Sequence, residues 1–183
     1  MIQAPEIFTT PRLILRRSHL EDAEAVFEYA SDLQVIHYMD YCPHTDINDV
    51  IKSIRNHPLL WNQGKEFTWI ITVKPHDRAI GTIACCLEGH MADFGYLLNR
   101  KYWGNGYATE AGNTVVNWLM SVPEIYRVWA TCDTENLASA RILEKIGLVR
   151  EGILRSHTIR PNISPIPRNA FIYAKVRQTR CSS

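Results

Sequence analysis

The spacing of apolar residues changes from that of a strand to that of a helix within the first thirty positions. Residues 13–17, Leu-Ile-Leu-Arg-Arg, follow Thr10-Pro11 and predict an opening β-strand. Ser18 and Glu21 have the spacing of a capping box, in which each side chain satisfies a free backbone N–H at a helix start. Apolar residues then recur every three or four positions over 23–30, which predicts a helix directly after the strand.

A second helix and three strands follow from the next part of the pattern. From Thr45 to Ile54, apolar residues again recur at helical spacing. The residue before a proline avoids helical backbone angles, so we expect this helix to end before His57-Pro58. Three apolar runs separated by short turns then predict antiparallel strands over 67–73, 79–87 and 91–98.

The second half of the chain alternates between helices and strands. The pattern predicts helices over 107–120 and 136–146, and strands over 126–132, 150–157 and 170–177. Gly147 suits the C-terminal cap of the second of these helices, and we expect a proline-rich loop over 161–167 between the last two strands. The order β-α-α-β-β-β-α-β-α-β-β predicts an α/β fold in a single domain over 1–183, with its core at about 9–177. Its sheet should be mixed and mostly antiparallel, with one parallel strand pair and helices on both faces.

Composition and charge exclude several classes of protein. The 183 residues are 46% hydrophobic, enough for one sizeable core without disulfides or metal, and we expect no metal site. With 20 Lys and Arg against 19 Asp and Glu, the chain has no basic field for nucleic acid. No apolar stretch is long enough to span a membrane, and the N-terminus has no secretory-signal pattern. The five cysteines are odd in number and include the adjacent Cys85 and Cys86, which favours free thiols in a reducing cytoplasm.

One strand-to-helix connection has the composition of an anion-binding loop. Gly104 and Gly106 stand between the strand that ends at Leu98 and the helix that begins at Tyr107. The first turn of a helix leaves backbone N–H groups free, and glycines let a phosphate approach the backbone closely. Lys101 would add a full positive charge. The spacing matches neither the dinucleotide-binding fingerprint nor the P-loop, and a plain tight turn is the alternative interpretation of the two glycines.

Two segments resemble the motifs of a known superfamily. Residues 101–111, Lys-Tyr-Trp-Gly-Asn-Gly-Tyr-Ala-Thr-Glu-Ala, resemble motif A of the GNAT superfamily of acetyl-CoA-dependent N-acetyltransferases, with Lys101 where that motif has Gln or Arg. Asn136 and Ser139, followed by Glu-Lys-x-Gly at 144–147, resemble its motif B. The resemblance implies the GNAT fold and an acetyltransferase activity.

Further segments narrow the resemblance. Residues 10–16, Thr-Pro-Arg-Leu-Ile-Leu-Arg, the Trp-Gly-x-Gly-Tyr-Ala-Thr-Glu-Ala run over 103–111 and Tyr-Ala-Lys at 173–175 are similar to the RimJ/RimL type, which acetylates the N-termini of ribosomal proteins. The similarity extends over about residues 9–177. The motifs are specific for the superfamily, whereas members of this type act on many different amines.

The resemblance implies where acetyl-CoA binds. In the family, motif A binds the pyrophosphate, and the corresponding positions here are Lys101, Trp103, Gly104, Asn105, Gly106, Tyr107, Ala108 and Thr109. The preceding strand would pair with the pantetheine arm through Tyr96, Leu97 and Leu98, and the parallel strand over 127–132 would diverge from it to open a V-shaped slot. Asn136 is expected to hydrogen bond the arm, with an N-cap role as the alternative.

Acetyl transfer needs a positioned thioester, a neutral amine, a donor for the oxyanion and a proton for the thiolate. For the oxyanion we expect the backbone N–H of Leu97 or Leu98. Many GNAT members carry a proton-donating Tyr seven residues after the motif-B asparagine, but this chain has Leu143 there. Ser139 lies one helical turn after the asparagine, on the same face, and the resemblance to the RimJ/RimL type implies that a Ser at this position is the donor. The alternative is a small helix residue that bonds its own backbone. Asp93, where relatives often carry Glu, is the candidate general base through water and would need a raised pKa.

The acceptor is less constrained by the sequence than the donor. Phe8, Tyr38, Tyr41 and the loop over 161–167 lie in segments that line the acceptor side in relatives. Because no strong base is evident, we expect a protein or peptide N-terminal α-amine, with a small amine such as an amino acid, polyamine or aminoglycoside as the second class. A non-catalytic module that binds coenzyme A is a third hypothesis, and the chain could act as a monomer or a homodimer.

Overall fold

Eight strands form one continuous sheet in the computed structural model, which describes residues 2–177. The strands are β1 (Ile7–Thr9), β2 (Leu13–Arg16), β3 (Glu66–Val73), β4 (Ala79–Glu88), β5 (Met91–Leu98), β6 (Arg127–Asp133), β7 (Val149–Arg160) and β8 (Ser164–Val176). The helices are α1 (Ala23–Ala30), α2 (Leu33–Ile36), α3 (Ile47–Asn62), α4 (Tyr107–Ser121) and α5 (Leu137–Lys145). The strand order is β1-β2-β3-β4-β5-β6-β8-β7, with β5 and β6 parallel and the other pairs antiparallel. The predicted mixed α/β sheet is therefore confirmed.

Helices cover both faces of the sheet, as predicted. On one face, α4 and α5 bury the larger core, which includes Trp69, Val115 and Leu143. On the other face, α1 and α3 bury a smaller cluster around Tyr29 and Ile54. Among residues 2–177, no helix is both long and apolar enough to cross a membrane. The four cysteines within this range have free thiols, and Cys181 lies outside it.

The predicted capping box is wrong by one residue. The N–H of His19 donates to Asp22 Oδ2 at 2.8 Å, whereas the Ser18 hydroxyl lies 2.9 Å from His57 Nδ1. Asp22 also forms a buried ion pair with Arg16, with both contacts at 2.8 Å. That ion pair holds the Asp22 carboxylate at the start of the helix, and the sequence spacing alone could not show it.

The second helix does not end before Pro58, so this prediction is also wrong. α3 continues to Asn62 with Pro58 inside it. A proline inside a helix costs about 3 kcal/mol. The last turn carries Trp61, whose ring packs edge-on against Phe67 and Trp69 with centroids 5.1 and 5.2 Å apart. Burying a side chain of this size contributes roughly 3–5 kcal/mol, which offsets the proline.

The proline-rich loop is shorter than the sequence predicted. β8 already begins at Ser164, so Pro165 and Pro167 lie within a strand and only three residues connect it to β7. β6 pairs with β8 only from Ala170 onward, which leaves the first part of β8 with one unpaired edge. A proline, which has no N–H to donate, is tolerated at such an edge. The short elements β1 and α2 were not predicted, because three or four residues show no period.

Candidate active site

The parallel strands β5 and β6 diverge after three residue pairs. The pairs join Met91 to Arg127, Ala92 to Val128 and Asp93 to Trp129. Beyond Asp93, β5 continues to Leu98 along β4, but no strand within residues 2–177 lies beside its other edge. The V-shaped slot that the sequence predicted therefore exists, with its apex at Asp93.

The register of β4 and β5 decides which N–H groups face the slot. Asn99 donates to Ile80 on β4 at 2.8 Å, so Leu97, two residues earlier, also directs its N–H to β4. Tyr96 and Leu98 direct theirs to the open side. Consistent with this, the Leu98 carbonyl on the same edge accepts the Trp103 indole N–H at 2.8 Å. Of the two expected oxyanion donors, Leu97 is therefore excluded and Leu98 faces the slot, together with Tyr96.

The backbone over residues 104–109, called the cradle below, has the geometry of an anion-binding loop. Gly104 and Gly106 both have φ of 77°, in the region that favours glycine, and Gly106 is the N-cap of α4. The first helical hydrogen bond runs from Glu110 N–H to Gly106 O at 3.0 Å. Within residues 2–177, none of the N–H groups from Gly104 to Thr109 has a protein acceptor. Free N–H groups at a helix start, with its dipole behind them, fit a phosphate group.

Arg12, a residue to which the sequence analysis gave no role, braces this cradle from β2. Its Nη1 donates to Asn105 O at 2.8 Å, its Nε donates to Glu110 Oε2 at 2.7 Å, and its guanidinium lies 4.8 Å from the Tyr107 ring centroid. Glu110 also accepts from Thr10 Oγ1 at 2.6 Å. Burial alone would raise the pKa of Glu110, but these hydrogen bonds outweigh it and hold the pKa below its ordinary value. Glu110 thus has a structural role.

Lys101 points away from the cradle, which corrects the expectation that it supplies charge there. Its Nζ lies 2.6 Å from Glu28 Oε1 on α1, and its side chain is 75% exposed. Hydrogen bonds from Lys101 and Arg78 hold the pKa of Glu28 at about 2. Arg12 and Lys145 line an open cleft of about 570 Å³ that borders the cradle.

Ser139 and Tyr96 meet across the slot. The Tyr96 hydroxyl donates to Ser139 Oγ at 3.2 Å, and burial raises the pKa of Tyr96 to about 12. Asn136 is the N-cap of α5, where its Oδ1 accepts the Ser139 N–H at 3.1 Å. The alternative N-cap role of Asn136 is therefore present, and no hydrogen bond within residues 2–177 uses its Nδ2. Leu143 is buried in the core, as its apolar side chain dictates.

Asp93 lies on the opposite face of β5 from Tyr96, three residues and about 10 Å along the strand. It belongs to a cross-strand row with Glu66 on β3, Cys86 on β4 and Trp129 on β6. The Cys86 N–H donates to Asp93 Oδ1 at 3.2 Å. Burial raises the pKa of Asp93 above its ordinary value, which is the direction that a general base needs.

The residues expected on the acceptor side come together only in part. Asn162, at the tip of the β7–β8 hairpin, donates through Nδ2 to the carbonyls of Ile36 and Tyr41 at 2.8 and 2.9 Å. The Tyr38 hydroxyl donates to Glu135 O at 3.4 Å, so the segment over 36–41 contacts both the hairpin tip and the residue before Asn136. Phe8 does not join them, because it packs between Trp69 and Trp118 in the core.

A smaller cavity of about 160 Å³ lies between α1, α3 and the sheet, and Leu97 and Tyr41 are in its lining. His57 also lines it, and burial lowers the pKa of this imidazole. Its two ring nitrogens lie 2.9 Å from Ser18 Oγ and 3.3 Å from Ser53 Oγ. Because both nitrogens have protein partners, we give His57 no catalytic role. Within residues 2–177, no group of three His, Cys, Asp or Glu side chains is placed to hold a metal.

Comparison with known proteins agrees with this geometry. Residues 12–149 match the family model described as the acetyltransferase (GNAT) domain. The chain belongs to the GNAT acetyltransferase family. It is 34% identical over 158 residues to the uncharacterized N-acetyltransferase p20 of Bacillus licheniformis, covering 83% of this chain and 87% of p20. This GNAT chain is therefore an N-acetyltransferase, and the resemblance seen in its sequence is confirmed.

Solved structures share the fold over nearly the whole GNAT domain. A GNAT-family acetyltransferase from Bacillus anthracis superposes with a TM-score of 0.81 at 27% identity, covering 93% of this chain and 98% of that one. RimL, a ribosomal L7/L12 alpha-N-protein acetyltransferase in complex with coenzyme A, superposes with a TM-score of 0.83 at 18% identity, with the same coverage. At that identity, the likeness to RimL shows the fold.

Proposed function

We propose that this enzyme transfers the acetyl group of acetyl-CoA to an α-amine, in the first place the N-terminal amine of a protein or peptide. The observation that carries the proposal is the open edge of β5, which leads from the cradle at Gly104–Thr109 to Asp93 and Ser139. A slot of this kind lets both substrates bind together, so that transfer is direct. RimL, which has this fold, acetylates a protein α-amine, and its structure contains coenzyme A.

The open edge of β5 supplies the donors for the thioester. The free N–H groups of the cradle bind the pyrophosphate, and the N–H of Leu98 and the Asn136 Nδ2 hydrogen bond the pantetheine arm. The N–H of Tyr96 donates to the carbonyl oxygen as it becomes an oxyanion, because Tyr96 is the residue of this edge that also contacts Ser139. One such donor contributes about 3–4 kcal/mol to transition-state stabilisation.

Ser139 and Tyr96 stabilise the departing thiolate. Tyr96 donates its own proton to Ser139 Oγ, which leaves the Ser139 hydroxyl proton free to face the sulfur. A thiol with an ordinary pKa of about 8.5 is a stronger acid than either hydroxyl. The pair therefore serves as a hydrogen-bond donor and relay, and the proton that ends on sulfur comes from the ammonium formed when the amine attacks the carbonyl.

Asp93 takes the extra proton of the incoming ammonium through a water molecule, which leaves the neutral amine that attacks the carbonyl. Its carboxylate stands at the apex of the slot, on the face opposite Ser139. The base and the donor thus flank the thioester from two sides. The buried position of Asp93 makes it a better proton acceptor than an exposed aspartate, although a weaker one than an imidazole.

A weak base favours an acceptor of low pKa. An α-amine has a pKa of 7.7–8.0 and a lysine ε-amine one of about 10.4, so at pH 7.5 about a third of the former and about 0.1% of the latter is neutral. We therefore expect α-amines to be acetylated in preference to lysine side chains.

Two matched peptides test this proposal, one with only its α-amine free and one with only a lysine side chain free. Release of the coenzyme A thiol at pH 7.5 should be faster with the α-amine peptide. Faster acetylation of the lysine peptide would show that the site deprotonates its substrate more strongly than Asp93 explains.

A further inference from the structure

Arg160 is a buried arginine without a partner in the described part of the chain. It is the last residue of β7, opposite Ser164 across the hairpin tip, and only 8% of its surface is exposed. The other buried charged residues are paired, Arg16 with Asp22 and Asp133 with Arg168. Within residues 2–177, no ion pair or side-chain hydrogen bond involves the Arg160 guanidinium. Burying a charge in this way costs free energy unless a partner arrives.

The guanidinium of Arg160 is not completely enclosed. Within residues 2–177, every fully buried side-chain nitrogen and oxygen has a hydrogen-bond partner. The nitrogens of Arg160 have none, so they are not fully buried and can be reached from outside. The side chain is thus largely enclosed, while its charged end remains available to a ligand.

The hairpin tip that carries Arg160 lies against the segment over 36–41, which contains the two tyrosines expected on the acceptor side. The Tyr38 hydroxyl of this segment donates to Glu135 O at 3.4 Å, directly before Asn136 and the helix that carries Ser139. The two hydrogen bonds of Asn162 to Ile36 and Tyr41 fix the hairpin tip that carries Arg160 over this region.

Neither a neighbouring carboxylate nor the thioester supplies an anion for Arg160. The nearby Asp133 is already bound to Arg168 at 2.7 and 3.1 Å. The thioester end of acetyl-CoA is uncharged, and its phosphates belong at the cradle. Provided that the function proposed above holds, we propose that Arg160 binds a carboxylate carried by the acceptor next to its amine. The acceptor is then a free amino acid, bound by its α-carboxylate, or a peptide with an acidic first residue.

Two matched pairs of acceptors distinguish these sources. One pair is serine and serinamide, and the other is a peptide beginning with Asp and the same peptide beginning with Asn. The acid should have at least tenfold higher kcat/KM than its amide in one of the pairs, through a lower KM. Arg160→Gln should remove that preference and Arg160→Lys should keep part of it. Arg155→Gln, a change at an exposed position of the same strand, should leave it intact. Equal kcat/KM within both pairs, or a preference that survives Arg160→Gln, would overturn the proposal.

Two measurements, of binding and of stability, test the proposal without requiring catalysis. The N-acetylated acid should bind the wild-type enzyme more tightly than the N-acetylated amide in calorimetry, and Arg160→Gln should abolish the difference; equal affinities would count against Arg160. If no amine is acetylated but this difference appears, the proposed function fails and the anion site stands. Arg160→Gln should also melt no lower than the wild type, because it removes a charge that has no partner within residues 2–177 and stands on a largely enclosed side chain. A clear drop in Tm would show a structural role instead.

Discussion

Replacing Gly106 with valine should separate donor binding from folding. Gly106 has φ of 77°, which a β-branched residue avoids, while a Cβ built there would lie 3.5 Å from Arg12 Nη2, an ordinary contact. The substitution therefore acts through backbone strain. A residue with a side chain loses about 1–2 kcal/mol in the left-handed region, and the cost is larger for the β-branched valine. The loop can relieve that strain only by turning the N–H groups of the cradle away from the bound phosphate.

The size of the effect follows from the hydrogen bonds lost. A hydrogen bond to a charged group contributes about 1.5–3 kcal/mol, so losing two of them costs roughly 3–6 kcal/mol. This corresponds to an affinity for acetyl-CoA weaker by about 10²–10⁴-fold. Calorimetric titration with acetyl-CoA measures it, and thermal unfolding reports whether the variant is folded.

Gly89→Val is the matched control. Gly89 stands in the β4–β5 turn with φ of 58°, and a Cβ there would meet nothing within 4 Å. It should lose stability as Gly106→Val does, yet bind acetyl-CoA with wild-type affinity. Wild-type affinity in Gly106→Val would refute the assignment of the cradle.

Other substitutions give equally direct outcomes. Ser139→Ala should lower kcat at least tenfold with little change in the Kd for acetyl-CoA, and Ser121→Ala should change neither; a loss below threefold would make water the donor to the thiolate. Arg12→Ala should weaken acetyl-CoA binding while Lys101→Ala should not, and the reverse order would restore Lys101 to the cradle. Because burial raises the pKa of Asp93, the activity should fall as the pH is lowered, and the fall should begin above pH 3.8, the ordinary pKa of an aspartate. Asp93→Asn should lower kcat/KM and abolish this loss of activity at acidic pH. A carboxylic acid whose pKa is higher in the folded than in the unfolded state stabilises the fold only when it is protonated. Asp93→Asn should therefore not lower Tm at pH 7, and a lower Tm would contradict the argument that burial raises the pKa of Asp93.

Local features of the site could be predicted from the sequence, whereas contacts between distant segments could not. Gly104 and Gly106 identify the cradle because the requirement for positive φ acts within the loop itself. The role of Arg12 depends on a contact with Glu110, 98 residues away, and Lys101 turns to Glu28, 73 residues away. No spacing rule reports such pairs.

The same distinction explains the errors in the fold. The predicted end of α3 follows a backbone rule for Pro58, which the packing of Trp61 against β3 overrides. The prolines of β8 suggested a loop because the sequence does not show that β6 begins to pair with that strand only at Ala170. Tertiary packing decides both cases.

A crystal structure of the enzyme with coenzyme A tests the central claim most directly. The account predicts the pyrophosphate on the N–H groups between Gly104 and Thr109, the pantetheine arm along the open edge of β5, and the sulfur beside Ser139. Coenzyme A bound elsewhere, for instance in the cavity beside His57, or an arm that makes no contact with Tyr96 or Leu98, would contradict it.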